Sequence, residues 1–208
     1  MTERKPVIFI VDDDRSMRES AEMMLTSLGF DVRTFVSAQD FLEADTRVEL
    51  GCLILDVRMP GMSGLELQEK LASARTPLPV IFITGHGTIP MSVRAMKAGA
   101  VDFLPKPFEE QDLLDAINSA LCQQRERILK NFELSRIQQQ FNSLTPREHE
   151  VFSLLVTGRA NKEIAYELGT SERTIKAHRA RIMEKMNAGS LADLVRFAEQ
   201  VKAASQDR

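Results

Sequence analysis

Five residues that could act together on a phosphoryl group each stand at or just beyond the end of a short apolar run. Asp12 and Asp13 follow residues 7–11, Asp56 follows 53–55, Thr84 closes 80–83 and Lys106 lies just past 101–104. A carboxylate can serve as a nucleophile toward phosphorus, and the transferred group spreads charge over its equatorial oxygens, so a cation and a hydroxyl donor beside it are useful. Three carboxylates held within a few ångströms repel one another, and a hard divalent cation such as Mg²⁺ offsets that repulsion while leaving room for phosphate oxygens. Each residue also has a plainer use. Asp13 or Asp14 can cap the following helix, Thr84 can be a satisfied strand-end hydroxyl, and Lys106 can be a solvated charge. Four strand ends carrying complementary groups favour the joint role.

The elements that must position these groups follow from periodicity. Apolar runs at 7–11, 32–36, 53–55, 80–83 and 101–104 alternate with amphipathic segments through residue 121, which predicts an α/β doubly wound fold with a five-stranded parallel sheet. In the flavodoxin-like strand order 2-1-3-4-5 the first and third strands flank the point where the winding reverses, and ligands sit there beyond the carboxyl ends of the strands. Met17, Ala21, Met24, Leu25 and Leu28 recur at helical spacing after the first strand, and Gly29 stands where a C-terminal cap belongs.

Residues 109–143 contain neither Gly nor Pro, which predicts one long helix or two abutting ones. Leu134, Ile137, Phe141 and Leu144 have the spacing of a short coiled-coil seam, although packing against one of the chain's own domains is the plainer reading. Thr145, Pro146 and Glu148 then form a helix-start signature, with Thr145 as N-cap and Glu148 completing a capping box. The expected division is 1–121, a helical linker 122–143, and an all-α four-helix domain 144–208 with helices at 147–157, 162–168, 172–186 and 191 to about 203, the last residues 204–208 being frayed.

Within that second domain the helix 172–186 offers Ile175, Ile182 and Met186 to a core and carries Arg173, Lys176, His178, Arg179, Arg181 and Lys185 against Glu172 and Glu184. A cationic helix held across a Gly-containing turn from a scaffold helix suits the major groove of duplex DNA. Charge is divided accordingly. Residues 1–121 carry 12 basic against 19 acidic side chains, 122–143 carry 4 against 2, and 144–208 carry 11 against 9. His149 and His178 have no Cys or His at ligand spacing, so a surface or DNA-facing role is expected rather than a metal site. Cys52 and Cys122 are the only cysteines, which fits unpaired thiols in a reducing cytoplasm; no long apolar span or signal peptide is seen. No nucleotide-binding Gly-x-x-x-x-Gly-Lys-Ser/Thr loop is present, which excludes polymerase remodelling by ATP hydrolysis.

The motifs Asp12-Asp13, Asp56-Val57-Arg58-Met59-Pro60-Gly61-Met62-Ser63-Gly64, Thr84-Gly85-His86-Gly87, 96–103 and Lys106-Pro107-Phe108 resemble those of a two-component receiver domain, and residues 144–200 resemble the LuxR-type helix-turn-helix. Together they resemble a response regulator of the FixJ/NarL type, close to the StyR/TodT group that governs aromatic-hydrocarbon catabolism. The resemblance implies a transcriptional regulator, not an enzyme, and activation by recruitment of RNA polymerase. It implies that Asp56 is the phosphoacceptor for a sensor histidine kinase, that Asp12, Asp13, Asp56 and the backbone carbonyl of Arg58 handle Mg²⁺, and that Thr84 and Lys106 hold phosphoryl oxygens. Lys106-Pro107 is expected to be cis, and Thr84 with Phe103 to form a switch that lacks a phenolic hydroxyl. Lys176 and Ala177 are expected at base edges, Lys162, Arg173, Thr174 and Arg179 at phosphates, and His178 in the DNA-facing set; Ala180 stands where relatives often carry a second lysine. Phosphorylation is expected to act through receiver-mediated homodimerisation, with masking of the basic helix as the rival. Two other readings, an aspartyl-phosphate phosphatase of the haloacid-dehalogenase type and a phosphate-regulated RNA-binding antiterminator, leave the Lys106-Pro107 pair or the 144–148 and 176–178 patterns without a use.

Overall fold

The computed structural model describes residues 5–73, 78–85 and 87–206, with side chains followed to residue 203. Expectations that touch residues 1–4, His86 and the last two residues lie outside that range. The chain divides into two compact units, Met1–Arg127 and Ile128–Arg208.

The first unit holds the parallel sheet. Strands β1 (Val7–Val11), β2 (Asp31–Phe35), β3 (Gly51–Asp56), β4 (Val80–Thr84) and β5 (Asp102–Pro105) lie in the order β2-β1-β3-β4-β5. Every residue of β1, β3 and β4 is buried, as continuous apolar runs in the middle of a two-faced sheet require, while β2 and β5 form the edges. Alternation along the strands builds two cores. Phe9, Val11, Leu53, Leu55 and Phe82 face Phe41, Leu67, Leu71 and Ala95, whereas Ile8, Ile10, Ile54, Ile81 and Ile83 face Leu25, Leu113, Ile117 and Leu121.

Helices α1 (Arg15–Ser27), α2 (Ala38–Glu43), α3 (Gly64–Ser73) and α4 (Ile89–Lys97) fill the crossovers, and α5 (Glu110–Asn142) follows β5 as one uninterrupted helix. The Asp14 carboxylate caps α1 by accepting from the amides of Ser16 at 2.8 Å and Met17 at 3.4 Å. At the other end Gly29 adopts φ +93°, the left-handed conformation that ends a helix without a Cβ penalty.

The second unit contains α6 (Pro146–Leu155), α7 (Asn161–Glu167), α8 (Glu172–Lys185) and α9 (Leu191–Gln206). The capping box on α6 is formed, with the Glu148 carboxylate accepting from the Thr145 amide at 2.8 Å and the Thr145 hydroxyl accepting from the Glu148 amide at 3.3 Å. Helix ends fall one or two residues from their expected places, and α9 continues to Gln206 rather than stopping near 203. Ile137, with Phe141 packed beside it, joins Leu144, Val151, Phe152, Ile175, Ile182 and Phe197 in the core of this unit. The apparent coiled-coil seam is therefore the edge of a globular core, and residues read as linker contribute to it.

Candidate phosphorylation site and nucleic-acid interface

Asp12 follows β1 directly, Asp56 is the last residue of β3, Thr84 the last of β4, and Lys106 the first beyond β5. Parallel strands in register bring all four to one edge of the sheet. Asp12 is fully buried, Asp56 and Thr84 are buried, and Asp13 is exposed. Oxygen atoms of Asp12, Asp13 and Asp56 lie within 4.8 Å of one another. The Lys106 ammonium donates to Asp12 Oδ2 at 2.5 Å and stands 3.7 Å from Asp56 Oδ2. Lys106 thus faces two of three clustered carboxylates, and those three form a donor set with the charge and the hard oxygen atoms suited to a divalent cation.

The three consecutive aspartates divide their work. Asp14 caps α1, leaving Asp12 and Asp13 for the crevice. Asp12 Oδ1 accepts from the Asp14 amide at 2.9 Å, and the Asp12 carbonyl accepts from Arg18 Nη1 at 2.6 Å. Arg18 was not anticipated from sequence, because a contact between a strand end and the first turn of the following helix leaves no periodic signal.

Burial pushes the Asp56 carboxyl above its ordinary range; the Lys106 ammonium opposes that shift, the Asp12 charge adds to it, and amides of Arg58 and Val57 hydrogen-bond the ionised form. Backbone bonds lock the surrounding loops: Val57 N–H donates to Ile83 O at 3.2 Å, Gly64 N–H to Val57 O at 3.1 Å, and Lys106 N–H to Thr84 O at 2.7 Å. The Lys106-Pro107 bond is cis. The Phe103 ring is partly buried, 6.2 Å from that of Phe82. A Cβ on Gly87 would lie 2.9 Å from the Phe103 ring and 3.0 Å from Thr84 Cγ2, so these two side chains converge on the start of the β4–α4 connection.

In the second unit, α8 is seated by Ile175, Ile182 and Met186, all fully buried. Ser171 caps its start, accepting from the Thr174 amide at 3.2 Å, and its hydroxyl is 2.9 Å from that of Thr174. Arg173, Lys176, Ala177 and Arg181 are exposed on α8, as is Lys162 on α7, while His178 and Arg179 are half-buried. The expected cationic face changes at Lys185, and the two histidines are partly enclosed. Lys185 belongs to no free cationic face, because its ammonium is bound to Glu148 at 2.6 Å and to the Ser143 carbonyl at 3.2 Å. His178 Nδ1 is buried without a hydrogen-bond partner among the described residues, so only part of that ring faces outward. His149 packs edge-on against Phe141 with ring centroids 4.5 Å apart, which makes it a core-edge residue. Arg147 Nη2 donates to Leu168 O at 2.6 Å and ties α6 to the end of α7.

Residues 8–118 match the response regulator receiver domain and residues 142–198 the luxR family of bacterial regulatory proteins. Nodulation protein W of Bradyrhizobium diazoefficiens is 48% identical over 195 residues, 94% of this chain and 86% of its own. Response regulator protein TodT of Pseudomonas putida is 46% identical over 202 residues, 97% of this chain and 89% of its own. Among solved structures, response regulator StyR shares 53% identity with a TM-score of 0.82 over 95% of this chain and all of its own. Full-length FixJ from B. japonicum shares 43% identity with a TM-score of 0.59 over 96% of this chain and 98% of its own. The phosphatase and RNA-binding readings fall with the matches to both domain families and with regulators that align over 94% and 97% of the chain. The chain belongs to the two-component response regulators that join a receiver domain to a LuxR-type DNA-binding domain, and it is a transcriptional regulator rather than an enzyme.

Proposed function

We propose that Asp56 accepts a phosphoryl group from a sensor histidine kinase and that the modification controls DNA binding through α8. The observation that carries this reading is the convergence of Asp12, Asp13 and Asp56 at the strand ends, with Lys106 against Asp12 and Asp56. The two carboxylates on β1's exit, Asp56 itself and the Arg58 carbonyl are the groups that would hold Mg²⁺. Bound there, Mg²⁺ would offset the charge of the phosphoryl oxygens. Lys106 would neutralise a further oxygen, and the Thr84 hydroxyl would turn toward the group and leave volume for Phe103.

The fourth helix is the surface on which that switch acts. Ile89, Val93 and Met96, at helical spacing on α4, are 81%, 46% and 46% exposed, an apolar stripe that a second phosphorylated chain would cover. Homodimerisation then places two α8 helices on neighbouring half-sites and raises affinity through effective concentration, without new base contacts. Lys176 and Ala177 meet base edges, and Lys162, Arg173, Thr174 and Arg179 lie toward phosphates, with His178 beside them. The chain acts in the cytoplasm and activates transcription by recruiting RNA polymerase. Similarity to TodT and StyR extends the reading to genes of aromatic-hydrocarbon catabolism.

Incubation with a small acyl phosphate, with and without Mg²⁺, followed by intact-mass analysis, tests the acceptor. The wild type gains one phosphoryl group only with Mg²⁺, and Asp56→Asn gains none. Retention of the group by Asp56→Asn would overturn the assignment. Sedimentation of the phosphorylated wild type as a dimer and of Ile89→Glu as a monomer tests the α4 surface; a dimer that persists in Ile89→Glu places the interface elsewhere.

A further inference from the structure

Glu148 does more than complete a helix cap. It is 3% exposed, and its Oε2 accepts at once from the Thr145 amide at 2.8 Å and from the Lys185 ammonium at 2.6 Å. Lys185 in turn donates to the Ser143 carbonyl at 3.2 Å. The residue just beyond α5, the first turn of α6 and the last turn of α8 therefore meet at one ion pair.

The opposite end of α8 is fixed differently, by the Ser171 cap and by the short turn from α7 in which the Thr170 amide donates to Ala165 O at 2.9 Å. Between the two ends the helix is held by Ile175 and Ile182, whose apolar contacts have no directional preference. Such contacts resist separation but tolerate rolling of a helix about its own axis. A charge-assisted hydrogen bond at a defined position does not. Roll of a rigid helix is transmitted undiminished along it, so what happens at Lys185 is felt about 13 Å away at Lys176, nine residues at 1.5 Å rise. Replacing both partners of such an ion pair with a well-packed neutral pair changes stability little, so the directional constraint is what that replacement removes.

We propose that Glu148 is a positioning residue for DNA readout: through Lys185 it fixes the roll of α8 and so sets which base edges Lys176 and Ala177 face. The same contact removes Lys185 from the set of phosphate-binding cations. The proposal rests on the reading of α8 as the recognition helix.

The test uses the full chain, phosphorylated, as wild type, Glu148→Gln, Lys185→Met and the double variant. Two probes are needed: the duplex that the wild type enriches from a random-sequence library, and a scrambled duplex of the same composition. Binding is titrated at several salt concentrations and well below each variant's melting temperature. Glu148→Gln still accepts from the Thr145 amide but loses the charge. It should weaken binding to the enriched duplex by about 5- to 150-fold, the range of a lost base contact, and binding to the scrambled duplex by less than about twofold. Lys185→Met should show the same split with an unchanged salt slope. The double variant, with a neutral pair in place of the ion pair, keeps the test informative if one single variant melts early, and it too should lose discrimination. Equal losses on both duplexes, wild-type discrimination in the double variant, or a salt slope lowered by about one unit in Lys185→Met would each overturn the positioning role. Failure of the wild type to enrich any duplex would instead remove the recognition-helix reading, and the positioning role with it.

Discussion

Replacing Gly64 with alanine should damage both the stability of the receiver and its chemistry, because the space for a methyl group is already taken by the backbone of Asp56, the proposed phosphoacceptor. A Cβ at Gly64 would lie 2.1 Å from the Asp56 carbonyl oxygen, 3.0 Å from its carbonyl carbon and 3.0 Å from Leu55 Cγ. Close carbon–oxygen contacts settle at about 3.3 Å, so the start of α3 and the end of β3 must separate by about 1 Å. Neither side yields easily. β3 is paired with both β1 and β4, and the Gly64 amide is committed to Val57 O at 3.1 Å. Overpacking costs about 1–3 kcal/mol and loss of the Gly64–Val57 bond about 1 kcal/mol more. The better helix propensity of alanine returns up to about 1 kcal/mol. The net loss of about 1–3 kcal/mol corresponds to roughly 4–12 °C in melting temperature at about 4 °C per kcal/mol. Displacing a reacting carboxylate by about 1 Å costs on the order of 100-fold in rate, so labelling by an acyl phosphate should slow by that factor. Calorimetry and intact-mass time courses measure the two effects. Gly85→Ala is the control, since a Cβ there meets nothing within 4 Å among the described residues beyond its chain neighbours, and it should melt with the wild type. A Gly64→Ala protein with wild-type melting temperature and labelling rate would refute the steric argument.

Glu148 makes the DNA-binding unit acid-sensitive. The Lys185 ammonium and then the Thr145 amide hold its carboxyl down at about 2, against an ordinary value of 4.5. A carboxyl depressed by folding contributes stability that is complete above its unfolded value and is lost as pH falls toward 2; the gap in melting temperature between wild type and Glu148→Gln should therefore be constant near neutrality and close between pH 5 and 2. Asn187 adopts φ +48°, so Asn187→Ala should cost about 1 kcal/mol and Asn187→Gly little or nothing, as read from denaturant midpoints. Lys176→Ala should lose about 1–3 kcal/mol on an enriched duplex and much less on a scrambled one, whereas Arg173→Ala should weaken both and lower the salt slope by about one unit; equal losses for Lys176→Ala would contradict its place at a base edge.

What the sequence determined by itself was whatever local chemistry and strict periodicity encode. Apolar runs of strand length separated by helical repeats dictate a parallel sheet with buried central strands, and the rule that such sheets present ligands at their carboxyl ends gathers Asp12, Asp56, Thr84 and Lys106 before any coordinate is known. The box at Thr145 and Glu148 and the left-handed Gly29 were legible for the same reason, since each depends on residues within one helical turn. Tertiary structure decided what depends on residues distant along the chain. Three adjacent aspartates look alike in sequence, and only the exit angle of β1 into α1 makes Asp14 the cap and turns Asp12 toward Lys106, 94 residues away. Lys185 reads as one more cation on a basic helix, until folding brings Glu148, 37 residues earlier, against it. Ile137 reads as a linker seam until the four following helices close a core that lacks a wall without it. A charge or a methyl group carries no record of its partner; burial and contact assign it one, and these exist only once the chain is folded.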